Sequence, residues 1–388
     1  MKRWLVRALG VALLLAVGGF LVSASGLISI AASSGHWAVT RWVLEFSMRR
    51  SISTHSLGVK APPLDNRGLI LKGAGSYAIA CSACHGSPDR PHPRVAAGLT
   101  PRPPYLGNTA ATWDSEELFT IIKHGIKFTG MPAWPAQQRD DEVWAVVAFV
   151  RALPRLTAEE YQELAYGSGP EPENVSAAPA EELNPPPGIH QVVTTSCVRC
   201  HGRGGNGRGQ PAFPHLAGQR EAYLLASLDA LARGERHSGI MEPVAYGLDA
   251  AKRQELARYY AGLPAPAPAG AGGHPAAIER GRVIAHRGDA SKRLPSCVDC
   301  HGPEGKRRRP VYPDLRGQPA DYLVRQLELF KDQRRGGTEF AHLMHHVAPH
   351  LSAEQMHDVA AYFASIPAEP ERSAGVSDGS ADVAPGGH

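Results

Sequence analysis

Cysteine is scarce in this chain: six in 388 residues, at positions 81, 84, 197, 200, 297 and 300. All six fall into three pairs of identical spacing, so no thiol is left for a disulfide framework or a nucleophile. Methionine is as scarce, also six, and aromatic residues make up 7%. Neither sign of charge prevails. Lys and Arg number 41 against 37 Asp and Glu, a formal net of +4, which gives nucleic-acid binding no support. No stretch alternates polar and apolar with a period of two, which argues against a strand-built fold. Proton-transfer and nucleophilic constellations are absent as well.

What is there is a motif, three times over. Cys81-Ser82-Ala83-Cys84-His85 recurs as Cys197 to His201 and as Cys297 to His301, with changes only between the cysteines. A Cys-x-x-Cys-His run reads as a covalent attachment site for c-type haem. Two thiols one helical turn apart can form thioethers to the two vinyl groups of a porphyrin, and the adjacent imidazole meets the iron from the same face. A thioredoxin-type redox pair would want a βαβ setting, which is not visible. A zinc site would want two such pairs close together, whereas these lie roughly a hundred residues apart. Neither alternative explains a histidine directly after the second cysteine in every copy. Three covalent haem groups are therefore expected, held by Cys81, Cys84, His85, Cys197, Cys200, His201, Cys297, Cys300 and His301.

The N-terminus sets the compartment. Lys2, Arg3 and Arg7 precede a charge-free apolar run from Ala8 to Ala32, longer than the ~20 residues that cross a bilayer as a helix. A cleaved signal peptide is the alternative, with Ser23-Ala24-Ser25 as a small-residue cleavage site. The apolar residues Leu27, Ile28 and Ile30 continue past that site and favour a retained anchor over residues 1–32. The leading cations put the N-terminus in the cytoplasm and the rest on the outer side of a bacterial inner membrane, in the periplasm. Residues 33–64 hold Trp37, Trp42, Leu44, Phe46 and Met48 among three arginines. This juxtamembrane segment reads either as an amphipathic helix at the membrane surface or as a helix packed on the first domain.

Gly and Pro, 41 and 33 in number, punctuate the remainder of the chain into three small units. The first spans 65–166. Its helices are expected to be capped by Asp65, by Asp114 with Glu117 in a capping box, and by Asp140; a last short one runs from Thr157 to Ala165. A Pro/Ala/Glu-rich linker occupies 167–188. The second unit spans 189–263, with helices over Glu221–Arg233 and Asp249–Gly262. A second linker, 264–274, leads to the third unit, 275–367, with helices near Ala276–Arg287, Ala320–Gln333 and Ser352–Ser365. Residues 368–388 form a tail expected to be disordered. Units two and three repeat each other: PHLAGQREAYL in one is PDLRGQPADYL in the other. The fold class is all-α, three small domains in tandem behind a transmembrane helix. A tandem pair tethered to a membrane-side domain suggests a mobile arrangement.

A histidine-ligated haem iron has a sixth position, and methionine there raises the potential and suits electron transfer. Met131, Met241 and Met344 follow His85, His201 and His301 by 46, 40 and 43 residues, each in a Gly- or Pro-containing loop before the last helix. A loop methionine is ordinarily core filler, but recurrence at one place in three repeats argues for a ligand. His342, His345 and His346 compete with Met344, and His124 and His237 are the rivals in the other units. The proximal imidazoles need an acceptor for their other ring N–H. Pro214 and Pro313, 13 and 12 residues after His201 and His301, are the candidates; several prolines compete in the first unit. Lys306 to Arg309 reads as a solvated loop or as a docking patch for an acidic partner.

These residues resemble the class I c-type cytochromes: the Cys-x-x-Cys-His motif, a Met segment such as TGMPAW, and a final helix with aromatic residues. Units two and three are similar to the tandem two-haem cytochromes of bacteria. The plan of the whole chain is similar to the cytochrome subunits of membrane-bound alcohol and gluconate dehydrogenases. The resemblance implies a respiratory electron carrier rather than an enzyme. Its partners would be a dehydrogenase or quinol-oxidising complex as donor and a terminal oxidase or soluble cytochrome as acceptor. Two alternatives stand beside it: a fixed subunit of a dehydrogenase complex, and a haem enzyme with one open iron site, such as a peroxidase or sulfur-compound dehydrogenase.

Overall fold

The structure, a computed structural model, describes residues 2–167, 184–268, 274–302 and 309–368. Parts of both expected linkers, most of the Lys306–Arg309 run and the expected tail from 369 onward lie outside the described residues. Among the described residues there is no strand, only two isolated bridges, Ser87 with Arg90 and Asp289 with Leu294.

The first helix, Lys2–Ala24, is a candidate membrane span of 22 residues from Arg3 and is uncovered along that length. It ends short of Ala32 because Ser25 turns back on itself, its hydroxyl donating to the Val22 carbonyl at 2.7 Å. Gly26 then takes a left-handed φ of 69°, a conformation that ends helices. Leu27, Ile28 and Ile30 are thus outside the helix.

The Ala38–His55 helix packs on the first domain with one half only. Its C-terminal half packs on the first domain, with Ile52 buried and the Arg49 guanidinium 4.9 Å from the Trp113 ring centre. Its N-terminal half, with the preceding Trp37, leaves Val39, Trp42 and Phe46 exposed, the last two stacked at 5.6 Å.

In the first domain the helix Arg67–Ala80 is capped by Asn66, not Asp65: the Asn66 Oδ1 accepts from the Leu69 N–H at 3.0 Å. It crosses the final helix, Asp140–Ala152, at Gly73, where a Cβ would lie 2.0 Å from the Ala145 carbonyl oxygen. The apolar period of the final helix buries Val143, Val146, Val147, Phe149 and Val150 against Tyr77 and Tyr161, as 3.6-residue spacing requires. The expected capping box of Asp114 and Glu117 starts the Ser115–His124 helix, and Thr157 with Glu160 starts Ala158–Tyr166.

The third domain repeats this crossing. Helices Pro275–Arg287 and Ala353–Ser365 meet at Gly281, where a Cβ would lie 1.9 Å from the Asp358 carbonyl oxygen. In the second domain the opening helix is short, Pro187–Val192, and passes through a π turn, Val193–Cys197, into the attachment motif. Its closing helix, Ala250–Gly262, is capped by the Asp249 side chain.

The repeated stretch explains how domains two and three meet. Gln219 donates from Nε2 to the Asp314 carbonyl and accepts at Oε1 from the Asp314 N–H, both at 2.8 Å. Gln318 does the same to His215, accepting from its N–H at 3.1 Å and donating to its carbonyl at 2.8 Å. All four residues are buried. The pair is therefore clamped face to face by two reciprocal amides, not left free on its linker. The first domain also bonds to both: Arg208 donates to the Leu164 carbonyl at 2.9 Å, and Arg334 to the Gln138 carbonyl at 3.3 Å. The mobile arrangement expected from the linkers gives way to direct docking.

Two outcomes are expected from these contacts. Gly73→Val places methyl groups against a carbonyl that cannot yield, and overpacking of this kind costs about 1–3 kcal/mol or more. The thermal midpoint of the full protein should drop by several degrees, and an unchanged midpoint would contradict the tight crossing. Gln219→Ala leaves the Asp314 N–H without its acceptor, and Gln318→Ala does so for His215. Orphaning a buried group costs about 1–3 kcal/mol, so hydrogen exchange at the Asp314 or His215 amide should accelerate selectively in the respective variant.

Candidate haem attachment and ligation sites

Each motif folds as a single helical turn: Ser82–His85, Val198–His201 and Val298–His301. In the first, the Cys81 carbonyl accepts from the Cys84 N–H at 3.1 Å and from the His85 N–H at 2.9 Å. In the third, the Cys297 carbonyl accepts from Cys300 at 3.2 Å and His301 at 2.9 Å. Such turns put both thiols and the imidazole on one side. The chain leaves the first two turns through Gly86 and Gly202 at φ 74° and 77°, which residues with a side chain rarely adopt. Tyr77, fully buried, donates its hydroxyl to the Gly86 carbonyl at 2.7 Å and so ties the first motif to the domain core.

The three imidazoles are held alike. The Nδ1 of His85 lies 2.9 Å from the Pro104 carbonyl, that of His201 3.4 Å from Pro214, and that of His301 3.0 Å from Pro313. A carbonyl only accepts, so Nδ1 carries the proton and Nε2 keeps its lone pair, the tautomer a metal ligand needs. Pro214 and Pro313 are the acceptors anticipated from spacing. Pro104, 19 residues after His85, is the one that spacing alone does not single out. Burial pulls the imidazoles below their ordinary range, His201 to about 4, against the opposing carbonyl bond. They are neutral, as a ligand must be.

The thiols argue against redox or zinc chemistry. Burial pushes Cys81 and Cys297 up to about 12, and Cys197 and Cys200 to about 11. A disulfide-exchanging pair needs the opposite, a depressed thiolate. Among the described residues no group of three His, Cys, Asp or Glu side chains is arranged to hold a metal ion.

Met131, Met241 and Met344 are each half-buried. Met131 lies in irregular chain, its N–H donated to the Thr129 hydroxyl at 3.1 Å. Met241 and Met344 are not in loops. Met241 opens a short helix, Met241–Tyr246, which the Ser238 hydroxyl starts by accepting the Met241 N–H at 3.1 Å; Met344 sits within Ala341–Val347. Both helices are one to two turns long, below what apolar periodicity reveals. Of the rival histidines, His345 donates its Nε2–H to the Arg335 carbonyl at 2.6 Å, which leaves Nδ1 as its ring nitrogen with a lone pair. His124, His342 and His346 are exposed, and His237 sits 3.4 Å from a Glu242 carboxylate oxygen. Of the basic run only Arg309 is described, its guanidinium 4.9 Å from the Phe340 ring centre.

One cluster was not legible in the sequence. Tyr223 and Tyr322 occupy equivalent places in the two repeats, and so do Arg236 and Arg335. They converge where domains two and three meet: Arg335 donates to the Tyr223 hydroxyl at 2.9 Å, and Arg236 bonds both phenols. Burial and the neighbouring Arg236 charge hold the Arg335 guanidinium below its ordinary range. Burial would raise the Tyr223 phenol, but the two guanidiniums outweigh it and lower it. Among the described residues the side-chain partners of these two half-buried guanidiniums are phenols and Gln326, which leaves positive charge to be balanced. The acidic side arms of a haem would balance it. Thiol pairs, neutral imidazoles with an unprotonated Nε2, methionine thioethers and half-buried guanidiniums together form a donor set that fits haem c.

The comparisons with known proteins agree. Residues 68–150 match the family described as cytochrome c oxidase, cbb3-type, subunit III, and residues 189–263 and 279–367 match cytochrome c. A thiosulfate dehydrogenase electron acceptor of Thiomonas intermedia (strain K12) is 38% identical over 203 residues, 51% of this chain and 88% of that one. Cytochrome c-552 of Acidithiobacillus ferridurans is 36% identical, covering 45% of this chain and 75% of the relative. Cytochrome c4 of Azotobacter vinelandii is 30% identical, covering 44% and 84%. With its attachment turns, its carbonyl-tethered histidines and these relatives, the chain belongs to the class I c-type cytochromes, as an electron carrier of several haem-binding domains.

Proposed function

We propose that the protein is a membrane-anchored, periplasmic cytochrome c with three covalent haem groups, passing single electrons from a dehydrogenase toward a terminal oxidase or soluble cytochrome. The observation that carries this is the threefold recurrence of one arrangement: a thiol pair on a helical turn and an imidazole whose Nδ1 is fixed by a proline carbonyl. Bound haem would supply a one-electron iron couple, which methionine ligation raises in potential. The chain's own part is to attach the group through Cys81, Cys84, Cys197, Cys200, Cys297 and Cys300. Neutral His85, His201 and His301 would hold the iron, with Met131, Met241 and Met344 as its further ligands, and the surrounding domain would keep water away.

The relatives named as thiosulfate dehydrogenase electron acceptors support a sulfur-compound dehydrogenase as the donor, ahead of the alcohol and gluconate dehydrogenases suggested by layout. The exposed aromatic half of the Ala38–His55 helix, 13 residues after the candidate span, supports a retained anchor with that helix lying in the membrane interface.

Haem quantitation on the full chain tests the count: three per polypeptide, falling to two in Cys81→Ala/Cys84→Ala and in each equivalent double variant. All three ferric haems should show the red-end methionine–iron absorption and none should bind carbon monoxide. A high-spin site that takes up carbon monoxide would replace the carrier with a haem enzyme in that domain. Met344→Ala should erase the third haem's share of the red-end absorption while His345→Ala leaves it intact, since Met344 holds the place in the third domain that Met241 holds in the second. The reverse result would make the third site bis-histidine.

A further inference from the structure

The contact between the first and second domains converges on one carboxylate. Glu142, in the first turn of the Asp140–Ala152 helix, is 8% exposed. Its Oε1 accepts from the Ser238 hydroxyl at 2.7 Å, and its Oε2 from the Gly239 N–H at 2.7 Å. From its own domain, the Trp134 indole N–H donates to Oε2 at 3.3 Å, and the Arg139 guanidinium lies 3.0 Å from Oε1. Arg139 reaches across as well, donating to the His237 carbonyl at 2.7 Å.

Both sides of this node lead to a methionine. Trp134 is three residues beyond Met131, in the segment TGMPAW. Ser238 uses its hydroxyl oxygen to accept the Met241 N–H at 3.1 Å. The two segments also touch directly. A Cβ on Gly239 would lie 2.2 Å from the Trp134 Nε1, and Ile240 packs into the core of the first domain. A buried carboxylate is costly unless its acceptor capacity is filled. Two of the four donors to Glu142 belong to the second domain, so its burial is compensated only while the domains are docked.

We propose that Glu142 is a positioning residue: it latches the Met241 segment of the second domain onto the Met131 segment of the first, fixing the separation of the first two haem sites. The proposal rests on the three-haem function given above. Transfer across this junction moves one electron, oxidising one site as it reduces the other, with no bond or proton exchanged. The latch therefore acts on distance alone.

The test uses the full-length haem-loaded protein with Glu142→Ala and Glu142→Gln. Amide hydrogen exchange at Gly239 and Met241 reports the latch, and inter-site electron equilibration after pulse radiolysis reports the distance. In Glu142→Ala, exchange at Gly239 should rise, and transfer between the first domain and the pair should slow, each about ten-fold or more. For the exchange, that is the scale of losing one hydrogen bond to a charged group. Glu142→Gln, which keeps an acceptor for Gly239, should fall between. Haem content and red-end absorption should match the unsubstituted protein in both. Should Glu142→Ala not accumulate, Gly239→Ala pries the same junction apart from the other side against Trp134. Unchanged exchange and unchanged transfer in either substitution overturn the latch. Loss of red-end absorption in the unsubstituted protein would instead overturn methionine ligation, and the exchange data would still decide the latch.

Discussion

The bond on which most else depends is the one from each proximal imidazole Nδ1–H to a proline carbonyl. It selects the tautomer, aims Nε2, and fixes where the chain after each motif must return. In domains two and three the residue following that proline, His215 or Asp314, is the one whose backbone is gripped by the other domain's glutamine. One proline thus anchors a ligand on its carbonyl and hands the next peptide unit to the interface. Ligand orientation and domain docking are set within two residues of each other.

The domains are small, and what holds them without a large core is close helix approach. Gly73 and Gly281 allow backbone to meet backbone in the first and third domains. Around these crossings Tyr77, Phe149, Tyr161 and Phe363 are the largest fully buried side chains among the described residues. A haem would complete this packing, in line with the difficulty domains of this size have in burying enough surface alone.

Much of this was legible in the sequence because it rests on local rules. The attachment turns, the capping box at Asp114, the final helices and the acceptors Pro214 and Pro313 all derive from spacing and side-chain chemistry within a few residues. The exceptions have physical reasons. Pro104 is one of several prolines in a broken loop, and no local signal separates it from Pro101 or Pro103. The short helices holding Met241 and Met344 are stabilised by a hydroxyl cap and tertiary packing, not by periodicity. The Glu142 junction and the Tyr223, Tyr322, Arg236 and Arg335 cluster join residues about a hundred positions apart. Only the fold brings them together. Linker composition suggested freedom of movement, yet composition is silent about the amides that hold the joined parts.

The reciprocal glutamine contact has a consequence of origin. Because Gln219 reads the backbone at 314 as Gln318 reads it at 215, the surface is self-complementary in the manner of a twofold homodimer contact. A single ancestral domain bearing this surface would pair with its own copy, and joining two copies end to end makes the pairing intramolecular. Once joined, the halves are free to diverge. His215 facing one side and Asp314 the other is such a divergence, a neutral imidazole set against a carboxylate paired with Arg316. Two equivalent places in the repeats thus sit in unlike electrostatic surroundings.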